Sequence, residues 1–346
     1  MSATATAAGG TVSAFTRPDM ANALIEKSAY LLDMDGVIYR ENALIAGARE
    51  LIALFQEHQI PFLFVTNNST PTQEDLVVKL AHLGIPDLRP EHFYTSALNT
   101  ADFLRTVQPS STAFVVGEGG IVSALRDAAI PNDNFRPTYV IVGEGTPTIE
   151  KLNRAHELLE RGARFVVTNP DNWCPVSAEK TRPGAGALAA YLEASSGARP
   201  YFLGKPNPFM SACACKRVLA GRPDLTPADV FMVGDTMETD IRGAIEFGLK
   251  ALLVLTGSAR LEDLRNYVYQ PTAVLRDVGE LAAAIAAGTP LENFYERHGL
   301  ATAGNTAGTG TGGTAGGDFR ERPSAERHQK SPPEIQYRRA RPAMTK

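Results

Sequence analysis

Ala29-Tyr30-Leu31-Leu32-Asp33-Met34-Asp35-Gly36-Val37-Ile38-Tyr39 is a short apolar run that ends in two carboxylates one residue apart, followed by a glycine. A strand that is apolar on both faces belongs inside a parallel sheet covered by helices. Carboxylates at its carboxyl end project into the crevice where open α/β sheets bind ligands. Alternate strand residues point to opposite faces, so Asp33 and Asp35 share a side if the strand extends through them. Two acids so placed bind a hard cation, divide into a nucleophile and a general acid, or simply form a polar strand end facing solvent. The partners found later in the chain decide among these readings.

Downstream, Ile45 to Phe55 has apolar residues at helical spacing, and Ile60-Pro61-Phe62-Leu63-Phe64-Val65 is a second wholly apolar strand. A β-helix-β unit of this length implies a parallel sheet. It places Thr66-Asn67-Asn68-Ser69-Thr70 beside Asp33 at one sheet edge. Pro71 to Asp75 reads as a helix start with acids in its first turn. Hydroxyls, amides and a helix N-terminus suit an oxyanion or phosphate; the same residues would equally serve to cap the helix. Phe93 to Ala97 gives a third strand.

From Asn99 to about Arg199 an α/β pattern restarts, with strands at Ala113–Gly117, Tyr139–Gly143 and Arg164–Pro170 and a helix at Glu150–Glu160. The first pattern resumes at Pro200-Tyr201-Phe202-Leu203-Gly204-Lys205-Pro206. Val230 to Gly234 then leads into Asp235-Thr236-Met237-Glu238-Thr239-Asp240, and a last strand spans Lys250 to Leu255. The expected organisation is a leader at 1–20, a discontinuous core at 21–98 and 200–298, an inserted α/β domain at 99–199 and a tail at 299–346. About 100 residues of self-contained pattern suffice for a domain.

Four strand ends thus carry polar groups: Asp33 and Asp35, Thr66 with Asn67 and Asn68, Lys205, and Asp235 with Asp240. In a parallel sheet all four meet on one edge. Asp33 and Asp235 can give hard oxygen ligands to Mg²⁺. Asp33 can also act as a nucleophile forming an aspartyl-phosphate, and Asp35 can protonate a leaving alkoxide and later take a proton from water. Three ionised aspartates and a phosphate dianion total −5; Mg²⁺ and Lys205 supply +3. Thr66, Asn67 and turn amides are the donors that offset the remainder.

Composition narrows the function. The 346-residue chain has a formal charge of −4 and a pI near 5.9, which gives no case for nucleic acid. No run is long and apolar enough for a membrane span, and residues 1–20 lack the basic start and apolar core of a secretory signal. Three cysteines fit a reducing, cytoplasmic setting. Cys213 and Cys215, two apart on a helical pattern, read as packing residues. Every residue from Ala301 to Gly317 is Ala, Thr, Gly or Asn, and Asp318 to Lys346 carries +4, a basic arm without a core of its own.

Asp33-Met34-Asp35-Gly36-Val37, Val65-Thr66-Asn67-Asn68-Ser69-Thr70, Gly204-Lys205-Pro206 and Gly234-Asp235-Thr236-Met237-Glu238-Thr239-Asp240 resemble the four ordered motifs of the haloacid dehalogenase (HAD) superfamily. Their spacing and the place of the insertion resemble its NagD/4-nitrophenylphosphatase branch, class IIA, over roughly Ser28 to Ile285. The resemblance implies a Rossmann-like core with a parallel sheet and an inserted α/β cap. It implies Asp33 as nucleophile, Asp35 as acid/base, Thr66 and Asn67 (with Asn68) as phosphate ligands and Lys205 as charge clamp. It also implies Mg²⁺ held by the Asp33 carboxylate, the Asp35 carbonyl and Asp235, with Asp240 in support.

The expected activity is a Mg²⁺-dependent phosphomonoesterase for a small-molecule ester. Trp173, the only tryptophan, lies in the cap loop Asn169–Ser177, where it either stacks on a substrate ring or packs the seam between cap and core. Tyr94 to Arg105 resembles the nucleotidase relatives, so nucleoside 5′-monophosphates are the expected substrates. Pyridoxal phosphate, phosphoglycolate and sugar phosphates are the alternatives, ahead of phosphotransfer or a non-catalytic binding role. Relatives pair through their caps, which makes a homodimer an expectation too.

Overall fold

The computed structural model describes residues 27–177, 180–289 and 291; the expected leader and tail lie outside them. Strand β1 (Ala29–Leu32) is buried along its whole length, and a short antiparallel pair, β2 (Tyr39–Arg40) and β3 (Ala43–Leu44), follows it. Strand β1 occupies the interior of a six-stranded sheet with β4 (Phe62–Thr66), β5 (Phe93–Thr95), β12 (Val230–Gly234), β13 (Lys250–Val254) and β14 (Ala273–Leu275), in the order β14-β13-β12-β1-β4-β5. Every pairing is parallel, with Leu32 opposite Phe64 on one side and Val233 on the other. The chain winds from β1 through β4 to β5, then returns to add β12 on β1's other flank. The strand order therefore reverses between β1 and β12, and a crevice opens there at the carboxyl ends.

The apolar strands are covered on both faces. Tyr30 and Leu32 point towards α1 (Ala48–Glu57) and α9 (Val278–Ala287), while Leu31 and Met232 pack with residues of α7 (Pro208–Val218) and α8 (Arg242–Phe247). Tyr30 stacks between Phe55 and Phe231 at 4.6 and 5.3 Å; such pairs add about 0.5–1.5 kcal/mol beyond the area they bury.

A second parallel sheet, in the order β11-β8-β7-β6, joins β6 (Ala113–Val116), β7 (Tyr139–Val142), β8 (Arg164–Val167) and β11 (Tyr201–Phe202). Helices α3 (Ser96–Val107) and α4 (Gly120–Asp127) cover one face, and α5 (Ile149–Glu160) and α6 (Ala185–Ser196) the other. Residues 169–177, expected as a loop, hold β9 (Trp173–Ser177), which pairs antiparallel with β10 (Lys180–Pro183).

The expected domain limits do not coincide with the sheets. Tyr201 and Phe202, assigned by sequence to the resumed core, pair with Val166 and Val167 of the second sheet. The limit at 98/99 falls inside α3, whose Ala97, Ala101 and Leu104 all pack in the second sheet's apolar cluster. Leu98 of the same helix packs against the apolar clusters of both sheets, so no boundary falls there. No helix among the described residues is long and apolar enough to cross a membrane.

Candidate active site

The reversal between β1 and β12 brings three aspartates together. Asp33 follows β1 directly, its amide donating to Val233 O at 2.9 Å, and Asp235 follows β12. Asp240 comes back from the wide, π-helical turn Met237–Ile241. Carboxylate oxygens of Asp33, Asp235 and Asp240 lie within 4.8 Å of one another, all buried. Lys205 Nζ sits among them, 2.6 Å from Asp33 Oδ1 and 2.7 Å from Asp240 Oδ1, and donates to Val65 O at 3.0 Å. Sequence reasoning gave Asp240 a supporting place; it is a direct partner of the lysine.

Burial is the main force on these acids, since it penalises the charged form. It pushes Asp33 up to about 6, with Lys205 pulling down and Asp235 pushing up. Asp235 rises to about 6 through burial and then Asp240, and Asp240 to about 6 through burial and then Asp33. Burial also works against the Lys205 ammonium, but Asp240 and Asp33 outweigh it and hold the amine above its ordinary range. Three carboxylates thus face one ammonium in a desolvated crevice.

That donor set fits a hard divalent cation, which favours carboxylate oxygen. The backbone is shaped to the same end. A Cβ on Gly257 would lie 1.9 Å from Asp235 Oδ2, and one on Gly36, at φ +82°, 2.8 Å from it, so only glycine lets these turns close on the carboxylate. Ser258 N then donates to Asp235 Oδ2 at 2.6 Å.

Asp35 has different surroundings. The strand stops at Leu32 and the chain turns, with Ile38 N donating to Met34 O at 2.9 Å. The shared side expected for Asp33 and Asp35 required a strand that this turn ends. Asp35 Oδ2 accepts from Tyr39 OH at 3.3 Å, and Lys79 Nζ of α2 (Gln73–Leu83) lies 3.6 Å above the Tyr39 ring. Burial raises the Asp35 pKa and the Lys79 charge works against that rise.

Thr66 closes β4, and its Oγ1 accepts from Asn68 N at 3.1 Å. Asn68 Oδ1 accepts from Thr70 N at 3.0 Å, so this amide braces its own loop. Helix α2 is capped by Thr72 with Asp75, which leaves Thr66 to Thr70 out of the cap. Buried Asn67 locks to Lys205: Lys205 N donates to Asn67 Oδ1 at 2.7 Å, and Asn67 Nδ2 donates to Lys205 O at 3.2 Å. Lys205 itself does not end a strand of the main sheet, as the sequence suggested. It lies on the crossing back from β11, where Gly204 allows close approach; a Cβ there would meet Asn67 Oδ1 at 2.6 Å and Thr168 O at 2.7 Å.

Residues 30–131 match the family model for haloacid dehalogenase-like hydrolases, and residues 202–281 match a HAD-hydrolase-like model. The chain is 37% identical over 255 residues to a dihydroxyacetone phosphatase of Corynebacterium glutamicum, covering 73% of this chain and 90% of that one. It is 38% identical over 263 residues to an acid sugar phosphatase of Staphylococcus aureus, covering 74% and 97%. Among solved structures, NagD from Escherichia coli K-12 superposes with a TM-score of 0.67 at 32% identity, covering 73% of this chain and 98% of that one. This chain belongs to the haloacid dehalogenase-like hydrolases, in their NagD-type branch. It is a phosphomonoesterase of that family.

The enzyme's site also includes groups from the second sheet that sequence reasoning did not single out. Asn169, fully buried, donates through Nδ2 to Asn67 O at 2.7 Å, to Glu144 Oε1 at 3.2 Å and to Thr168 Oγ1 at 3.2 Å. Glu144 N donates to Ser69 Oγ at 3.0 Å, and Arg182 Nη2 lies 3.4 Å from both Glu144 Oε2 and Thr70 Oγ1. Asp171 is pushed up by burial and pulled down by Lys205 and by an Asn67 hydrogen bond, which puts it on the aspartate cluster's side of the seam. Asn169 and Asp171 lie in the cap loop read from the sequence, but no local pattern told what they touch. Trp173 is 59% exposed and makes none of the contacts that join these groups.

Proposed function

We propose that the enzyme is a Mg²⁺-dependent phosphatase that works through a phosphorylated Asp33. The observation that carries this reading is the Lys205 ammonium held between Asp33 and Asp240. It favours the ionised, nucleophilic form of Asp33 and provides positive charge for phosphoryl oxygens. In the first step an Asp33 carboxylate oxygen bonds to phosphorus, the ester P–O bond breaks, and Asp35 gives its proton to the leaving alkoxide. In the second step Asp35 takes a proton from water. The water oxygen then attacks phosphorus, releasing inorganic phosphate and free Asp33.

Thr66 and Asn67 hold the phosphoryl group, and Asp33, Asp235 and the Asp35 carbonyl would hold Mg²⁺ with Asp240 beside them. Bound Mg²⁺ contributes charge neutralisation at the phosphoryl oxygens. Three free cysteines among the described residues support a reducing, cytoplasmic setting.

For the substrate, small phosphorylated sugars and ketoses are favoured over nucleoside 5′-monophosphates. The relatives named for dihydroxyacetone and sugar phosphates support this. So does the burial of Tyr94, Ala97, Asn99 and Thr100, the run whose resemblance suggested nucleotides; it serves packing. The nucleotide reading rests on the exposed indole of Trp173, a surface on which a base could stack. A phosphate-release screen with Mg²⁺ over dihydroxyacetone phosphate, hexose phosphates, nucleoside monophosphates, pyridoxal phosphate and phosphoglycolate tests both. Sugar or triose phosphates with the highest kcat/KM support the first reading; a nucleotide at the top overturns it. Full turnover in Asp33→Asn would sink the covalent mechanism.

A further inference from the structure

We infer that Asn169 and Glu144, both outside the main sheet, are positioning residues that set the phosphate-binding loop through Asn67. This rests on Asn67 being a phosphate ligand, as proposed above.

Asn67 is held from two directions. Its side-chain amide is clamped by both backbone groups of Lys205. Its carbonyl accepts from Asn169 Nδ2 at 2.7 Å and from Ser96 Oγ at 2.5 Å. Asn169, Ser96 and Asn67 are all buried, so these are contacts that water cannot replace at low cost. Asn169 is fixed in turn, because its Oδ1 accepts from Asp171 N at 3.1 Å and its Nδ2 reaches Glu144 Oε1. Glu144 is itself buried, and the groups facing it are Arg182 and Cys174 of the β9–β10 hairpin, together with Asp171 and Asn169.

The consequence is a continuous polar brace, Arg182–Glu144–Asn169–Asn67–Lys205. It ties the hairpin carrying Trp173 to the loop facing Asp33. The inserted domain then contributes to binding the phosphoryl group that every substrate shares, besides whatever it contributes to the leaving group. Displacing a positioning contact by about 1 Å can cost on the order of 10²-fold in rate. Losing one buried hydrogen bond is worth roughly 3–10-fold in affinity.

The test uses inorganic phosphate, which has no leaving group. Its affinity is read with Mg²⁺ both as thermal-shift stabilisation and as competitive inhibition of nitrophenyl phosphate hydrolysis. The full-length wild type is compared with Asn169→Ala, Glu144→Leu and Glu144→Gln. Asn169→Ala should weaken phosphate binding roughly 5–10-fold and raise KM by the same factor for nitrophenyl and dihydroxyacetone phosphates. Glu144→Leu should follow it at about 3-fold, and Glu144→Gln, which keeps an oxygen for Asn169 Nδ2, should restore the wild-type affinity. Unchanged phosphate binding in Asn169→Ala, or a KM change confined to one ester, overturns the brace. So does an equal loss in Glu144→Gln and Glu144→Leu. A wild type that binds phosphate but hydrolyses no ester would refute the hydrolase reading alone, because the thermal-shift comparison still decides the brace.

Discussion

The carboxyl edge of the six-stranded sheet and the seam beneath the second sheet hold their buried charges in different ways. At the sheet edge three clustered carboxylates share one ammonium, which lies 2.6 and 2.7 Å from two of them, an excess of negative charge that a cation and a substrate would complete. At the seam the buried carboxyl of Glu144 has one half-buried guanidinium at 3.4 Å and neutral hydrogen-bond donors, with Asp171 the one other acid facing it. Burial, with a smaller push from Asp171, raises its pKa to about 7 against the pull of Cys174, Arg182 and Asn169. Incomplete buried charge marks where chemistry is done; a self-sufficient polar cluster marks where two parts of the molecule are held in register.

The largest expected effect tests the sheet edge directly. Asp33→Asn should lower kcat by about 10⁴-fold or more, as removal of a nucleophile does, and chelation of divalent cations should abolish turnover reversibly. Phosphate-release kinetics with added Mg²⁺ check both.

Lys205→Met should lower kcat/KM by about 10²–10³-fold. It should also destabilise the fold by about 3–5 kcal/mol, because it leaves Asp33 and Asp240 buried without their cation. Denaturant titration measures this, and adding Asp240→Asn should recover part of the loss. Equal stability of Lys205→Met and wild type would erase the contrast drawn above.

Glu144 gives the opposite signature. Its carboxyl titrates near 7 in the folded chain and near 4.5 unfolded. The folded state therefore holds the proton more tightly, and this group's contribution to stability falls as pH rises from about 4.5 to 7. Glu144→Gln removes that fall, so the variant should gain up to about 3 kcal/mol on wild type at pH 8 and nothing at pH 4. Melting curves across this range decide it; a pH-independent difference would mean that Glu144 is ionised throughout.

Gly204→Ala sharpens the join between the two regions. Its Cβ would press on Asn67 Oδ1 and Thr168 O together, and should cost about 1–3 kcal/mol and weaken phosphate binding. Trp173→Ala should be the mildest change, within about 0.5 kcal/mol in stability because the indole is exposed. Any effect should appear in KM ratios between esters.

Much of the sheet edge was legible in the sequence because strand ends are local features. Each apolar run announced a buried strand, and each run's polar successor had nowhere to go but the crevice. Asp33, Asp235 and the Thr66 loop needed no more than that. The seam was illegible for the complementary reason. Asn169 and Asn67 are 102 residues apart, and Glu144 and Ser69 are 75 apart. A lone Asn or Glu has no periodicity that points to a partner. Tyr201 and Phe202 were misassigned because two apolar residues fit either sheet, and only packing chooses. The placement of Asp35 could not be read from alternation, which holds only within a strand, and the strand ends at Leu32.

The sequence by itself determined the α/β class, the parallel core sheet and the identities of the acids, amide and lysine at its edge, since side-chain period and residue chemistry are local. Only the tertiary structure decided that Lys205 bridges Asp33 and Asp240, that Asp35 turns towards Tyr39 and Lys79, and that Asn169 reaches across to Asn67. Those are facts of distance, set by how two sheets and their crossovers pack. Packing is a property of the whole chain at once.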